Sequence, residues 1–105
     1  MTHSILEIAT FKLAEGVEEA ALLEASAQLE RDFLAQQPGF LRRELVRKGA
    51  QTYADIILWH SQEQAQAAVA KAQANPAAGG YFSLMSQDPA DMRMEHAQVL
   101  VASGA

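Results

Sequence analysis

Between Ser4 and Leu13 the chain runs SILEIATFKL, a stretch dominated by branched and aromatic residues that closes on Ala14-Glu15-Gly16, and this pattern predicts a strand. The period then lengthens. From Val17 to Gln37, Leu22, Ala25, Leu29 and Phe33 recur at helical spacing while Glu18, Glu24 and Arg31 lie elsewhere on the cylinder, which predicts a long amphipathic helix. Pro38-Gly39 stops it, because proline disfavours helix in the residue before it and glycine permits the turn. Phe40–Lys48 and Thr52–His60 read as two strands joined across Gly49-Ala50-Gln51, a length suited to a hairpin. Ser61 followed three residues later by Gln64 is a capping-box pattern, so a second helix starts directly after His60. Its apolar face, Ala65, Ala68, Val69 and Ala72, is unusually small. Asn75-Pro76 ends it, residues 77–85 predict a short helical turn carrying Tyr81, Phe82, Leu84 and Met85, and Met92–Ala102 predicts a last strand.

The order βαββαβ with short connections is an α+β, ferredoxin-like arrangement: a four-stranded antiparallel sheet, strands one and three central, with two main helices on one face. Both faces of that sheet are apolar in sequence. Leu6 and Ile8 alternate with Ile5, Ala9 and Phe11; Ala54, Ile56 and Leu58 with Tyr53, Ile57 and Trp59; Met92, Met94 and Leu100 with Ala97, Val99 and Val101. Helices cover only one side, so the open face is expected to meet a second copy of the chain, burying about 1,600 Å² or more in total.

Composition narrows the class. At 105 residues, half of them hydrophobic and a fifth charged, residues 1–105 are expected to form one domain. The absence of cysteine removes disulfides and thiolate chemistry, no apolar run is long enough to span a membrane, and the N-terminus lacks the pattern of a signal peptide, so the expectation is a cytoplasmic protein without membrane contact. A net charge of −5 argues against nucleic acid as a partner; the basic run Arg42–Lys48 alternates with apolar residues and reads as a charged edge strand.

The runs PGFLRRELVR (38–47), LWHSQEQAQA (58–67) and NPAAGGYF (75–82) resemble the antibiotic-biosynthesis-monooxygenase-like members of the dimeric α/β-barrel superfamily. The resemblance spans nearly the whole chain. It implies a homodimer in which two sheets pack face to face into a barrel, and a pocket in each subunit between sheet and helices. Activities in that superfamily include cofactor-free oxygenases of phenolic polycycles or quinols, haem-degrading enzymes and lactone isomerases. Many members have a histidine after the proline-containing turn, where this chain has Ala77 and Ala78, and the haem-degrading branch has a tryptophan in helix two, where this chain has Ala67 and Ala68. The resemblance therefore implies neither haem nor another cofactor, and a small apolar or aromatic ligand.

Several residues are candidates for chemistry. His96 shares a strand face with Met92 and Met94 and is a candidate base; its plainer role is a hydrogen bond within the core or dimer face. Asp55 stands in an apolar strand and needs a partner, either Arg42, Arg43 or Arg47 of the hairpin neighbour, in a cross-strand pair at the barrel interface, or His96. Glu7 poses the same puzzle. With His96, either carboxylate could form a base and its orienter or half of a metal site, but no spacing pattern indicates a metal. Tyr81, Asn75 and Trp59 are candidate donors to a bound phenolate, with Trp59, Asn75 and Phe82 as pocket wall, while Tyr81 and Trp59 could equally be plain core. His60 sits at a strand end near solvent. The expected function is thus a small-molecule enzyme with His96, Asp55 and Tyr81 as catalytic candidates. The alternatives are a non-catalytic ligand-binding or stress-associated barrel, and a purely structural dimer.

Overall fold

The computed structural model describes residues 3–104; Met1, Thr2 and Ala105, included in the expected domain span, lie outside the described residues. Strands β1 (Ile5–Lys12), β2 (Phe40–Arg47), β3 (Thr52–Trp59) and β4 (Met92–Gln98) form one antiparallel sheet in the order β2-β3-β1-β4, with β1 and β3 central as the sequence predicts. Helices α1 (Glu19–Asp32), α2 (Gln62–Ala72) and α3 (Pro76–Phe82) complete the chain's α+β, ferredoxin-like architecture. None of the described helices is long and apolar enough to cross a membrane.

Register divides the sheet into two sides. Ile5, Glu7, Ala9 and Phe11 stand opposite Trp59, Ile57, Asp55 and Tyr53, and this side packs on Leu22 and Leu29 of α1, Ala65, Ala68 and Ala72 of α2, and Ala78 and Tyr81 of α3. The other side carries Leu6, Ile8, Val46, Ile56 and Leu58, all only half-buried. The alanine face of α2 brings that helix close to the sheet, since a side chain of one carbon fills little space.

Three elements differ from the sequence reading. Helix α1 ends at Asp32, where Phe33 leaves helical geometry (φ −138°, ψ −68°) and a 3-10 turn follows over Leu34–Gln36. Phe33 and Leu34 are both buried at this break. Residues 77–85 do more than turn, because Asn75 Oδ1 accepts from the backbone N–H groups of Ala77 and Ala78 and starts α3 behind Pro76. Strand β4 stops at Gln98, leaving Leu100 and Val101 exposed beyond the sheet. At α2 the cap is half of the expected box: Ser61 Oγ accepts from Gln64 N at 3.2 Å, but the hydroxyl itself donates to the Gln64 side-chain oxygen. Gly39, at φ 86°, lies against that same Gln64 side chain with no room for a Cβ.

Candidate active site

A cavity of about 390 Å³ lies between the sheet and the helices, within the range of small-molecule sites. Ala9 and Phe11 of β1, Ile57 and Trp59 of β3, and Ala68 and Ala72 of α2 line its walls, and Phe82, Met92 and Met94 border it from the exposed side. The small face of α2 therefore packs closely on the sheet and also leaves room for a ligand. Its polar lining includes the buried Glu7, Asp55 and Tyr81 and, outside the buried core, Thr10, Gln73 and Arg93.

Asp55 is fully engaged. Its Oδ1 accepts from Arg43 Nε at 2.8 Å, with a terminal guanidinium nitrogen also at 2.8 Å, and its Oδ2 accepts from the Tyr81 hydroxyl at 2.7 Å. The guanidinium also donates to the Tyr81 oxygen at 3.2 Å, lies 5.5 Å from the Tyr81 ring centroid, and reaches the Ser26 carbonyl and the Glu30 carboxylate, each at 3.5 Å. One buried ion pair thus ties β2, β3, α3 and α1 together. Burial works against the Arg43 charge, but Asp55 and Tyr81 outweigh it, so the guanidinium holds its proton more tightly than usual. Burial first, and then the neighbouring Asp55 carboxylate, push the Tyr81 hydroxyl far above its ordinary range. Tyr81 is a fixed phenol and not a base.

The partner of Asp55 is therefore Arg43 of the same chain, while Arg42 pairs with Glu44 and Arg47 with Glu19. The expected location needs correction: the pair lies on the helix-covered side, not at a barrel interface. Strict alternation from Phe40 would have put Arg42 inward. A β-bulge between Phe40 and Arg42 shifts the register, so Arg43 stands beside Ile57 and Asp55 instead.

Glu7 has a different environment. It is buried, it lines the cavity, and its Oε1 is hydrogen-bonded to His96 Nε2 at 3.2 Å. Burial raises its carboxyl above the usual value of 4.5, opposed by the His96 hydrogen bond and charge and reinforced by the Asp55 charge. Beside it Trp59, 1% exposed, is clasped edge-on by Phe40, and its Nε1 has no partner at hydrogen-bond geometry; the indole is only a minor influence favouring the Glu7 charge.

Three sequence candidates fall outside the cavity wall. His96 sits on exposed edge strand β4, directly across from Glu7, with a quarter of its side chain in solvent. Asn75 is spent as the cap of α3. His60 is exposed at the end of β3. Trp59 and Phe82 do line the cavity, and so does Glu7, which the sequence offered only with His96 as a base and its orienter and not among the catalytic candidates; a central-strand acid on the same side as Ile5 and Phe11 was the available signal. The donor set does not fit a haem iron: no histidine lines the cavity, and the Tyr81 oxygen is already bonded to Asp55 and Arg43. Among the described residues, no group of three or more histidines and carboxylates comes together as a metal site.

Fold and cavity define a class, a ferredoxin-like sheet that keeps a ligand-sized space beneath its helices, and the antibiotic-biosynthesis-monooxygenase-like resemblance holds at that level. The solved structure of SnoaB, a cofactor-independent oxygenase from Streptomyces nogalater, is similar with a TM-score of 0.68 and 21% identity over 97% of this chain and 96% of that one. A protein from Bordetella bronchiseptica, described as an antibiotic biosynthesis monooxygenase by assignment, is similar with a TM-score of 0.76 and 18% identity over 94% and 99% of the two chains. A heme-degrading protein from Mycobacterium tuberculosis is similar over the full length of both chains, at a TM-score of 0.64 and 17% identity. No protein-family model matches the chain, and no curated protein matches it significantly. At such identities the likeness is one of fold.

Proposed function

We propose that the chain is a cofactor-independent oxygenase for a small phenolic or quinol-type compound held in the cavity. The observation that carries this reading is a largely apolar cavity with the buried Glu7 carboxyl in its wall, whose affinity for a proton is raised by burial. A phenol that loses its proton there becomes an electron-rich anion, able to give electrons to dioxygen without a cofactor. In the balanced reaction a ring C–H carbon gains one oxygen atom as a carbonyl, the hydroxyl becomes the second carbonyl, and the two hydrogens leave with the other oxygen as water. The likeness in fold to an oxygenase described as cofactor-independent supports the same class.

In this reading Asp55 is a positioning residue that holds Tyr81 against the cavity, and His96 acts through Glu7. Hydroxylated naphthalenes and anthracenes should quench the emission of Trp59, the only tryptophan, saturably, and an oxygen electrode should record uptake with at least one of them. Binding without oxygen uptake would favour a purely ligand-binding barrel, a role suited to the fact that both Asp55 oxygens and the Tyr81 hydroxyl are already bonded. Absence of both signals would dismiss the site.

The assembly that suits this reading is a homodimer through the open sheet face, where Leu6, Ile8, Ile56 and Leu58 are only half-covered. Sedimentation equilibrium at micromolar concentration should return twice the chain mass; a monomer would overturn it.

A further inference from the structure

Helix α3 is the weakest part of the cavity wall. It is seven residues long, and Gly79 and Gly80 stand side by side near its middle. Neither glycine is required by space or by an unusual backbone: a Cβ at either position would meet nothing within 4 Å, and neither has a positive φ. In a helix such residues cost stability, because glycine gives up more conformational freedom on folding than alanine does. A helix this short that carries two of them keeps its shape only through its contacts.

Those contacts are few. Ala78 and Tyr81 are the buried residues of α3, and the Tyr81 hydroxyl is fixed to Asp55 and Arg43. The chain on either side is held independently. Asn75 N donates to the Ala72 carbonyl at the end of α2 at 3.2 Å, and beyond α3 the backbone joins the end of β1, where Ala14 N donates to Leu84 O and Ser86 N to Lys12 O, both at 2.9 Å. Helix α3 is thus a strap between two anchored points, with a side-chain latch near its C-terminal end.

Its position gives this looseness a use. Phe82, the last residue of α3 and 42% exposed, borders the cavity from the exposed side together with Met92 and Met94. The methionines belong to β4, which is paired with β1 along nearly its whole length and moves only with the sheet. Phe82 is therefore on the movable side of the mouth.

We infer that α3 is the gate of the cavity: it opens about Gly79-Gly80, carrying Tyr81 and Phe82 off the sheet to admit a ligand, and closes when the Tyr81 hydroxyl returns to Asp55. The inference rests on the cavity being a ligand site, as proposed above. Withdrawing Tyr81 leaves Asp55 with Arg43 alone, so the closed state predominates. The glycines set how often the gate opens, and the latch sets how firmly it shuts.

Hydrogen exchange and binding kinetics test this together. In the wild type the amides of Gly79 and Ser83, which donate to Asn75 O and Gly79 O within the turns of α3, should exchange faster than those inside α1 and α2. In the double variant Gly79→Ala, Gly80→Ala the same two positions should slow about tenfold, the ratio that corresponds to about 1.4 kcal/mol of added helix stability, with α1 and α2 unchanged. Tyr81→Phe should act in the opposite direction, raising exchange in α3 more than in α1 or α2.

2-Naphthol supplies the second readout, its arrival followed by stopped-flow quenching of Trp59 emission. In the double alanine variant its association and dissociation rates should both fall about tenfold while Kd stays the same, because the closed state is stabilised equally with and without ligand. A changed Kd at an unchanged association rate would overturn the gate, since the glycines would then act on the site itself. So would α3 exchanging in step with α1 and α2, or slower exchange in α3 with unaltered binding rates. Those results leave the cavity a ligand site, whereas no quenching in any variant removes the ligand reading and the gate with it.

Discussion

Asp55 on β3 and Glu7 on β1 stand on the same side of the sheet, both buried and both bordering one cavity, yet the fold treats them in opposite ways. Asp55 has an arginine on one oxygen and a phenol on the other, so its charge is matched and its bonds are complete. Glu7 has one bond, to an imidazole at the rim of the sheet, and burial lifts its proton affinity. A satisfied carboxylate builds a wall, and an under-satisfied one is available for chemistry.

The largest expected effect comes from breaking the satisfied one. Asp55→Asn leaves the buried Arg43 guanidinium with only the half-exposed Glu30 carboxylate at 3.5 Å as counter-charge, and a broken buried pair costs about 3–5 kcal/mol. Urea unfolding at neutral pH should show this as a lower midpoint. The loss belongs to the fold of the single chain and not to the open face of the sheet, since the pair lies under the helices. Tyr81→Phe is milder: it leaves Asp55 Oδ2 without its donor, at about 1–3 kcal/mol by the same measurement. An unchanged midpoint in both variants would remove the distinction between the two carboxylates.

Glu7→Gln should move the other way. Because the folded state raises this pKa, the stability contributed by the protonated carboxyl is present below 4.5 and is lost as pH rises through the folded value. The variant should therefore be more stable than the wild type at pH 7 and lose that advantage below pH 4.5, by an amount smaller than either loss above. A third carboxylate sharpens the comparison from the surface. Glu19 accepts from Arg47 and Tyr53, and these hydrogen bonds hold its pKa at about 2. Its contribution is present above 4.5 and disappears as pH falls through about 2, so Glu19→Gln should be less stable than the wild type at pH 7, by an amount that solvent screening keeps small, and should flatten the acid side of the stability profile.

The fold was legible in the sequence because its signals are local: two periods, Pro38-Gly39, Ser61 and Asn75-Pro76 mark the elements and their order. Boundaries failed where tertiary packing decided them, at Phe33 and Leu34, which both turn inward, and after Gln98, where apolar residues continue but no neighbouring strand does. The site was partly legible. An acid in an apolar strand signals the need for a partner, and Asp55 found one of its three proposed arginines. Which arginine depended on a bulge, and bulges leave no clear trace in a single sequence. His96 was expected among apolar neighbours and is exposed instead, because alternation gives the side of the sheet but not whether a helix extends over that strand.

The open face of the sheet carries its charges in self-contained pairs. Arg42 with Glu44 on β2, Arg93 with Glu95 on β4, and Lys12 with Asp91 flank the apolar centre, each cation neutralised within its own subunit. Two copies meeting through this face would bring no unbalanced charge from these residues, despite a net charge of −5 on the whole chain. Association driven in this way should depend little on ionic strength, and added salt, which shortens the screening length from about 10 Å at 0.1 M to about 3 Å at 1 M, should leave the dimerisation constant nearly unchanged.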